Sequence, residues 1–306
     1  MRGQLAEALK NRNITFEENV ETKRLCTFKI GGICRYLITP CCQNELIEAV
    51  LLCRALAVPY HVIGNGSNLL FGDGMLPLAL IRTGSLHAIR IASDEVIADC
   101  GAALPRLARK VAAHGYGDLA FAAGIPGTLG GGVLMNAGAH EKALGDLVKW
   151  VKVLVPHSGE IKTYFHQKLS FSYRKSNFRA KNEIILQVCL RLRDAAEPTV
   201  IEAQMRQMLA RRATTQPLNF PSAGSVFLRT DEGESMGKII DLLGLKGTRC
   251  GNAAISQKHG GFIVNLGGAT AADVCCLIDL VKRVTQEKCG FVPKTEIRMI
   301  TGKEET

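Results

Sequence analysis

From Ala123 to Ala139 the chain reads AGIPGTLGGGVLMNAGA, and six of these seventeen positions are glycine. Ile125, Leu129, Val133, Leu134 and Met135 are interleaved with them, which predicts a buried loop and not a flexible tether. A buried glycine-rich backbone approaches something closely, and its N–H groups need an acceptor there. The usual acceptor is a phosphate or pyrophosphate met by successive amides and a helix N-terminus. The run therefore reads as a nucleotide-binding loop, the alternative being a set of tight turns in an α/β core. A second motif, Gly64-Asn65-Gly66-Ser67-Asn68-Leu69, follows a strand-like stretch at Tyr60 to Ile63. It is not the Rossmann fingerprint, because Leu69 stands where the third glycine belongs. Two such loops could clasp one long dinucleotide from two lobes. No Walker pattern is present: Gly233 to Ile239 has the wrong length and lacks the Ser/Thr.

Three further positions could do chemistry. In Phe171 to Phe178 (FSYRKSNF), Ser172 and Lys175 have the spacing used by penicillin-recognising serine enzymes, but neither accompanying element occurs. Arg174, flanked by Phe171 and Phe178, is a half-buried guanidinium that wants a carboxylate or phosphate, or else makes an internal salt bridge. Ser225 follows Gly224 in PSAGSVF, which makes it an ordinary turn serine or a hydroxyl aimed into a cleft. Glu296 sits in a final strand expected over Phe291 to Ile300. There it should point with Arg298 away from Ile297 and Met299, toward solvent or a site.

These residues need a scaffold, and 306 residues suffice for about two domains. Hydrophobic residues at 47% and charged residues at 22% describe an ordinary globular protein. No window approaches the ~20 apolar residues of a membrane span, and the N-terminus lacks the apolar core of a signal peptide. A chain that is not exported stays in a reducing compartment, so the eleven cysteines are expected as free thiols. Cys41–Cys42 and Cys275–Cys276 are adjacent pairs and no CxxC occurs, which predicts no metal site. The net charge of +10 calls for an anionic partner. The basic residues are scattered and aromatics are only 6%, so a small anionic substrate fits better than nucleic acid.

Phe28 to Ile38 reads as strand, Gly-Gly turn and strand. Leu46, Ala49, Val50, Cys53 and Ala57 then share one helical face. A strand–helix unit spans Ile89 to Gly115, its helix marked by Leu104, Leu107, Ala108 and Val111 and capped at Gly115. Strands follow at Val148 to Val155, Ile161 to Tyr164 and Glu183 to Leu192. Thr199 and Glu202 form a capping box opening a helix that buries Ile201, Met205, Met208 and Leu209 and ends near Arg211-Arg212. A last helix runs from about Thr270 to Lys288.

Taken in order, TFKIGG, GNGSNLL, AGIPGTLGGGVLMNAGAH, FSYRKS, QPLNFPSAGSVF, GLKG, ISQKHGGFIVN and TEIRMITG closely resemble the UDP-N-acetylenolpyruvoylglucosamine reductase family, from about Thr27 to Gly302. The resemblance implies an α+β fold: a two-lobed FAD-binding domain of the vanillyl-alcohol-oxidase type plus a smaller C-terminal α+β substrate domain. Lobe 1 would be 1–83, lobe 2 84–205 and the substrate domain 206–306, with the last strand returning to the active site. It implies non-covalent FAD held by Gly64, Asn65, Gly66, Ser67 and Asn68, and by Gly124, Ile125, Pro126, Gly127, Thr128, Gly130, Gly131, Asn136 and Gly138. NADPH would be the co-substrate, reducing the enolpyruvyl ether of UDP-N-acetylglucosamine to the lactyl ether for peptidoglycan synthesis. Arg174, Ser225 and Glu296 fall on the family's catalytic positions, Ser225 as proton donor. Arg211, Arg229, Lys246 and His259 are expected at the UDP-sugar. A cytoplasmic enzyme is implied, with no membrane insertion, no nucleic acid and no obligate protein partner. Two departures stand out: Phe227-Leu228-Arg229-Thr230 where the larger subgroup has Phe-Lys-Asn-Pro, and Lys294 where an acidic residue is frequent. No residue from 175 to 223 is Tyr, so the chain resembles the subgroup without an aromatic lid over the substrate diphosphate.

Overall fold

The one-face spacing of Leu46, Ala49, Val50 and Cys53 produces the helix Gln43–Ala55, and all four side chains are buried. Ala57 lies beyond it, at φ +51°, and does not extend the stripe. The same periodicity gives the helix Leu104–Ala113 with Leu104, Leu107, Ala108 and Val111 inside, and Gly115 at φ +81° ends it. Both helices are seen in a computed structural model that describes residues 3–302. These residues form two units. The first takes those up to Glu18, Tyr36–Asn65 and Leu78–Ala210, and the second takes Asn19–Arg35, Gly66–Pro77 and those from Arg211 on.

In the first unit an antiparallel five-stranded sheet has the order Glu160–Phe165, Val148–Val155, Ile184–Arg191, Glu95–Asp99, Ile89–Ala92. The last two strands turn at Ser93, φ +51°, so the expected single strand before the helix is a hairpin. Tyr60–Ile63 pairs in parallel with residues 79–82 of the strand Met75–Arg82. Leu107, Val111, Val151, Val153, Leu186 and Val188 belong to one continuous core with the helices. The helix expected to start after a Thr199 cap begins two residues earlier, at Pro198. Pro at the first helical position has its φ already set, and the amides of Val200 and Ile201 turn back to Glu197 O. Ile201 and Met205 are buried, whereas Leu209 is 40% exposed, against expectation.

In the second unit the strands Arg249–Cys250, Ala253–Ile255 and Ile263–Asn265 make an antiparallel sheet. Leu69–Phe71 pairs in parallel with Arg298–Ile300. The helix Ala271–Cys289 opens on the Thr270/Asp273 capping box and closes on Gly290 at φ +81°. Two strand expectations shrink here. Residues 28–32 are loop, because Lys29 and Gly31 both take positive φ. The final strand is confined to Arg298–Ile300, and ahead of it Thr295 makes only an isolated bridge to Phe227. Free thiols were expected throughout, but Cys250 and Cys276 form a disulfide. Packing of the short strand on the helix brings their Cα atoms to 6.4 Å, within bridging range. No helix among the described residues is long and apolar enough to cross a membrane.

Candidate active site

The glycines of the long run divide into two kinds. Leu129 and Gly130 donate their amides to Ala102 O and Cys100 O at 2.8 and 2.7 Å, laying the helix Leu129–Leu134 against the end of a strand. A Cβ at 130 would stand 2.8 Å from the Cys100 Cβ, and one at 132 would stand 2.6 Å from Leu144. These positions are glycine for packing. Gly131 is exposed, and a Cβ there would meet nothing closer than Thr128 Oγ1 at 3.5 Å. Among the described residues the amides of Gly127, Thr128 and Gly131 find no acceptor in the protein. Three unpaired N–H groups beside half-exposed glycines fit a diphosphate such as that of a flavin dinucleotide.

The shorter motif supports the same loop. A Cβ on Gly64 would collide with Thr128 Oγ1 at 2.2 Å, and Asn65 Nδ2 donates to Pro126 O at 3.2 Å. Gly66, Ser67 and Asn68 belong to the second unit. Gly66, at φ +62°, has Leu25 O where its Cβ would be, and Asn68 Nδ2 donates to Glu296 O at 3.1 Å.

Arg174 occupies the tip of a hairpin, Phe171–Ser172 with Lys175–Ser176, at φ +55°. Ser172 and Lys175 are the rung that closes this hairpin. Asn136 ties it to the glycine-rich run, its Nδ2 donating to Ser172 O at 3.0 Å while its Oδ1 accepts the Gly145 amide at 2.9 Å. Ser176 Oγ adds a bond to Leu134 O at 2.7 Å. The guanidinium reaches Gly138 O with both terminal nitrogens at 3.4 Å and lies 5.3 Å from the Tyr173 ring centre. Within the first unit, then, Arg174, Asn136 and Gly138 come together.

In the second unit Ser225, Glu296 and His259 converge. Gly224, at φ +76°, turns the chain into Ser225, which bridges Phe262. Val226 N–H donates to Gly261 O, and Glu296 N–H donates to Val226 O, both at 2.8 Å. Ser225 is thus clamped between the 259–262 turn and the segment carrying Glu296, a half-buried residue just ahead of the final strand. Ser225 Oγ donates to Phe227 O at 3.2 Å. His259 Nδ1 accepts the Gly261 amide at 3.1 Å. Burial, followed by the Lys246 charge, holds the His259 ring below its ordinary pKa, the backbone opposing them.

The expected substrate cations are engaged to different degrees. Lys246 is ion-paired to Asp241, Arg229 Nη1 donates to Gly233 O at 3.0 Å, and Arg211 is exposed on its helix. Lys294, at the departure noted above, pairs with Asp231 at 3.1 Å. The second unit also holds a cleft of ≈ 610 Å³ that the sequence did not reveal. Arg249, Lys258, Gln257, Asn219 and Phe220 are among the residues lining it. Lys258 lay in plain view within ISQKHGG. Gly237, dismissed above with the Walker pattern, packs under the His259 ring, a Cβ there meeting Cε1 at 2.8 Å. Among the described residues Cys41, Cys42 and Glu45 could together offer a metal three ligand atoms. Glu45 instead caps the helix start, accepting from the Cys41 amide and thiol at 2.8 and 2.9 Å and pushing that thiol up to about 11.

Residues 34–164 match the FAD binding domain model, and residues 216–300 match the model of the UDP-N-acetylenolpyruvoylglucosamine reductase C-terminal domain. The reductase of Clostridium botulinum is 38% identical over 98% of this chain and 96% of its own length. That of Lactobacillus acidophilus is 40% identical over 97% and 98%. The crystal structure of the Thermus caldophilus enzyme superposes with a TM-score of 0.79 at 34% identity, covering 94% of this chain and 99% of that one. The α+β fold with an FAD-binding domain is therefore as expected, and the chain belongs to the UDP-N-acetylenolpyruvoylglucosamine reductase family, flavoprotein oxidoreductases of peptidoglycan precursor synthesis.

Proposed function

We propose that this chain is a cytoplasmic, NADPH-dependent reductase that converts the enolpyruvyl ether of UDP-N-acetylglucosamine to the lactyl ether of UDP-N-acetylmuramate. Above all, the reading is supported by the backbone clamp on Ser225, in which Val226 links the 259–262 turn to Glu296. Non-covalent FAD, when bound, supplies the two-electron chemistry between NADPH and the vinyl carbon of the substrate. Its diphosphate is assigned to the amides of Gly127, Thr128 and Gly131, with Gly64–Asn68 completing the clasp. The lobes are assigned as 1–83 and 84–205, and substrate binding to 206–306.

Reduction of the vinyl carbon places negative charge on the neighbouring α-carbon and its carboxylate. A fixed cation near developing charge is worth more in a preorganised site than in water, which is the role given to Arg174. Glu296 is given a share of that role, polarising the substrate carboxylate. Ser225 delivers the proton to the α-carbon, its neighbours or a water relay compensating for a high hydroxyl pKa. Arg211, Arg229 and Lys246 hold the diphosphate, and His259 faces the sugar nucleotide.

Stopped-flow spectra of Ser225→Ala test this. Flavin reduction by NADPH should be nearly intact, while reoxidation by the enolpyruvyl nucleotide should slow by about 10²- to 10⁴-fold. Reoxidation at the wild-type rate would remove Ser225 as the donor.

A further inference from the structure

The His259 ring is committed on one side. Because Nδ1 accepts the Gly261 amide, the ring hydrogen belongs to Nε2. That bond closes the same turn that grips Ser225, through Gly261 O to the Val226 amide and through Phe262 to Ser225 itself. Glycine leaves room for the arrangement. A Cβ at 261 would lie 3.2 Å from both His259 Nδ1 and Ser225 Oγ. The ring also stands edge-on to Phe262, with centroids 4.9 Å apart, so its plane is set as well.

We propose that His259 is a positioning residue for proton delivery: as a neutral acceptor it locks the 259–262 turn, and that turn sets the direction of the Ser225 hydroxyl. The proposal rests on the reading that Ser225 is the proton donor. A protonated imidazole has no lone pair left, so it would set one N–H against another and release the turn. Burial and Lys246 both oppose that protonation. The other charged groups on the elements around the ring are Lys238 and Asp241 of the helix Met236–Leu242, Lys258 and Glu296. Asp241 is taken by Lys246, and Lys258 donates to Ala213 O. Among the described residues no carboxylate bonds the ring.

The experiment compares wild type, His259→Phe and His259→Asn in the holoenzyme, following flavin reduction and then reoxidation by the enolpyruvyl nucleotide across pH. Phe keeps the ring's bulk without an acceptor, whereas Asn carries an oxygen near the place of Nδ1. In wild type the reoxidation rate should fall in acid, below the ordinary histidine pKa of about 6.5. His259→Phe should reoxidise about tenfold more slowly, the scale of one lost hydrogen bond, with flavin reduction spared. His259→Asn should recover most of that rate and lose the acid limb. An Asn variant as slow as Phe would mean that the ring does not act through the acceptor at Nδ1 that closes the turn, overturning the proposal. A Phe variant at the wild-type rate, or an Asn variant that keeps the acid limb, would overturn it too. Should the Phe variant fail to fold, the pH profiles of wild type and His259→Asn decide alone. If reduced wild type is not reoxidised by the nucleotide at all, the functional reading falls first, and that outcome is seen before any variant is made.

Discussion

Gly130→Ala and Gly131→Ala should separate the two jobs of the glycine-rich run. At 130 the new methyl would stand 2.8 Å from the Cys100 Cβ and 3.1 Å from its carbonyl oxygen, with the 2.7 Å amide bond to that oxygen preventing retreat. Overpacking of this kind costs about 1–3 kcal/mol. At about 2–4 °C per kcal/mol, the melting temperature should drop by roughly 2–12 °C. At 131 the methyl meets only Thr128 Oγ1, at an ordinary 3.5 Å, and replacing a helical glycine by alanine gains roughly 0.5–1 kcal/mol. The Gly131→Ala apoprotein should therefore melt at or above the wild-type temperature. Its FAD affinity should nevertheless fall by about tenfold, or 1.4 kcal/mol, because the methyl stands beside the unpaired amides. Calorimetry on apoprotein and FAD titration by fluorescence quenching give the two numbers. Wild-type FAD affinity in Gly131→Ala would refute the assignment of these amides to the diphosphate, and an unshifted Gly130→Ala would refute the packing argument.

Arg174→Lys keeps the charge but loses the planar fork that matches a carboxylate, so substrate reduction should slow while FAD stays bound. A variant isolated without flavin would instead assign Arg174 to the cofactor. If, as proposed, the substrate diphosphate rests on partly solvated cations with no aromatic lid over it, KM should rise steeply with added KCl while kcat barely moves, the Debye length falling to about 3 Å at 1 M salt. A flat KM would indicate a closed, dry pocket. Thiol titration of the denatured, unreduced protein should find the nine free cysteines, and eleven after reduction; eleven in both would refute the Cys250–Cys276 bond.

Helices carrying several same-face apolar residues were legible from spacing alone, as with Leu46 to Cys53 and Leu104 to Val111, because burial of a stripe decides them. Their ends were not. Thr199 satisfied the capping pattern, but Pro198 sets its own φ and starts the helix sooner. Residues 28–30 looked like a strand because Phe28 and Ile30 are apolar, yet both are buried by a loop whose backbone runs through positive φ. The long glycine run was readable as a close-approach loop, but its split into packing glycines and open ones depends on Cys100 and Leu144, distant in sequence. The Cys250–Cys276 pair left no signal, since its 26-residue separation resembles no motif and only tertiary packing brings the two together. Arg174, Ser225 and Glu296 could be picked out locally as candidates, but only the order of motifs assigned them catalytic roles, because a turn serine and an alternating glutamate carry little information alone.

The parallel pairing of Leu69–Phe71 with Arg298–Ile300 joins segments 229 positions apart in the chain. Parallel ladders of such long sequence separation form late, since loop closure must be completed before any contact rewards it. During synthesis the short strand Leu69–Phe71 therefore waits with that edge unpaired while the following 226 residues are made. An apolar edge left open for so long invites pairing with other nascent chains. Yield in a foreign host should accordingly depend on chaperone supply and growth temperature more than on the final stability of the fold.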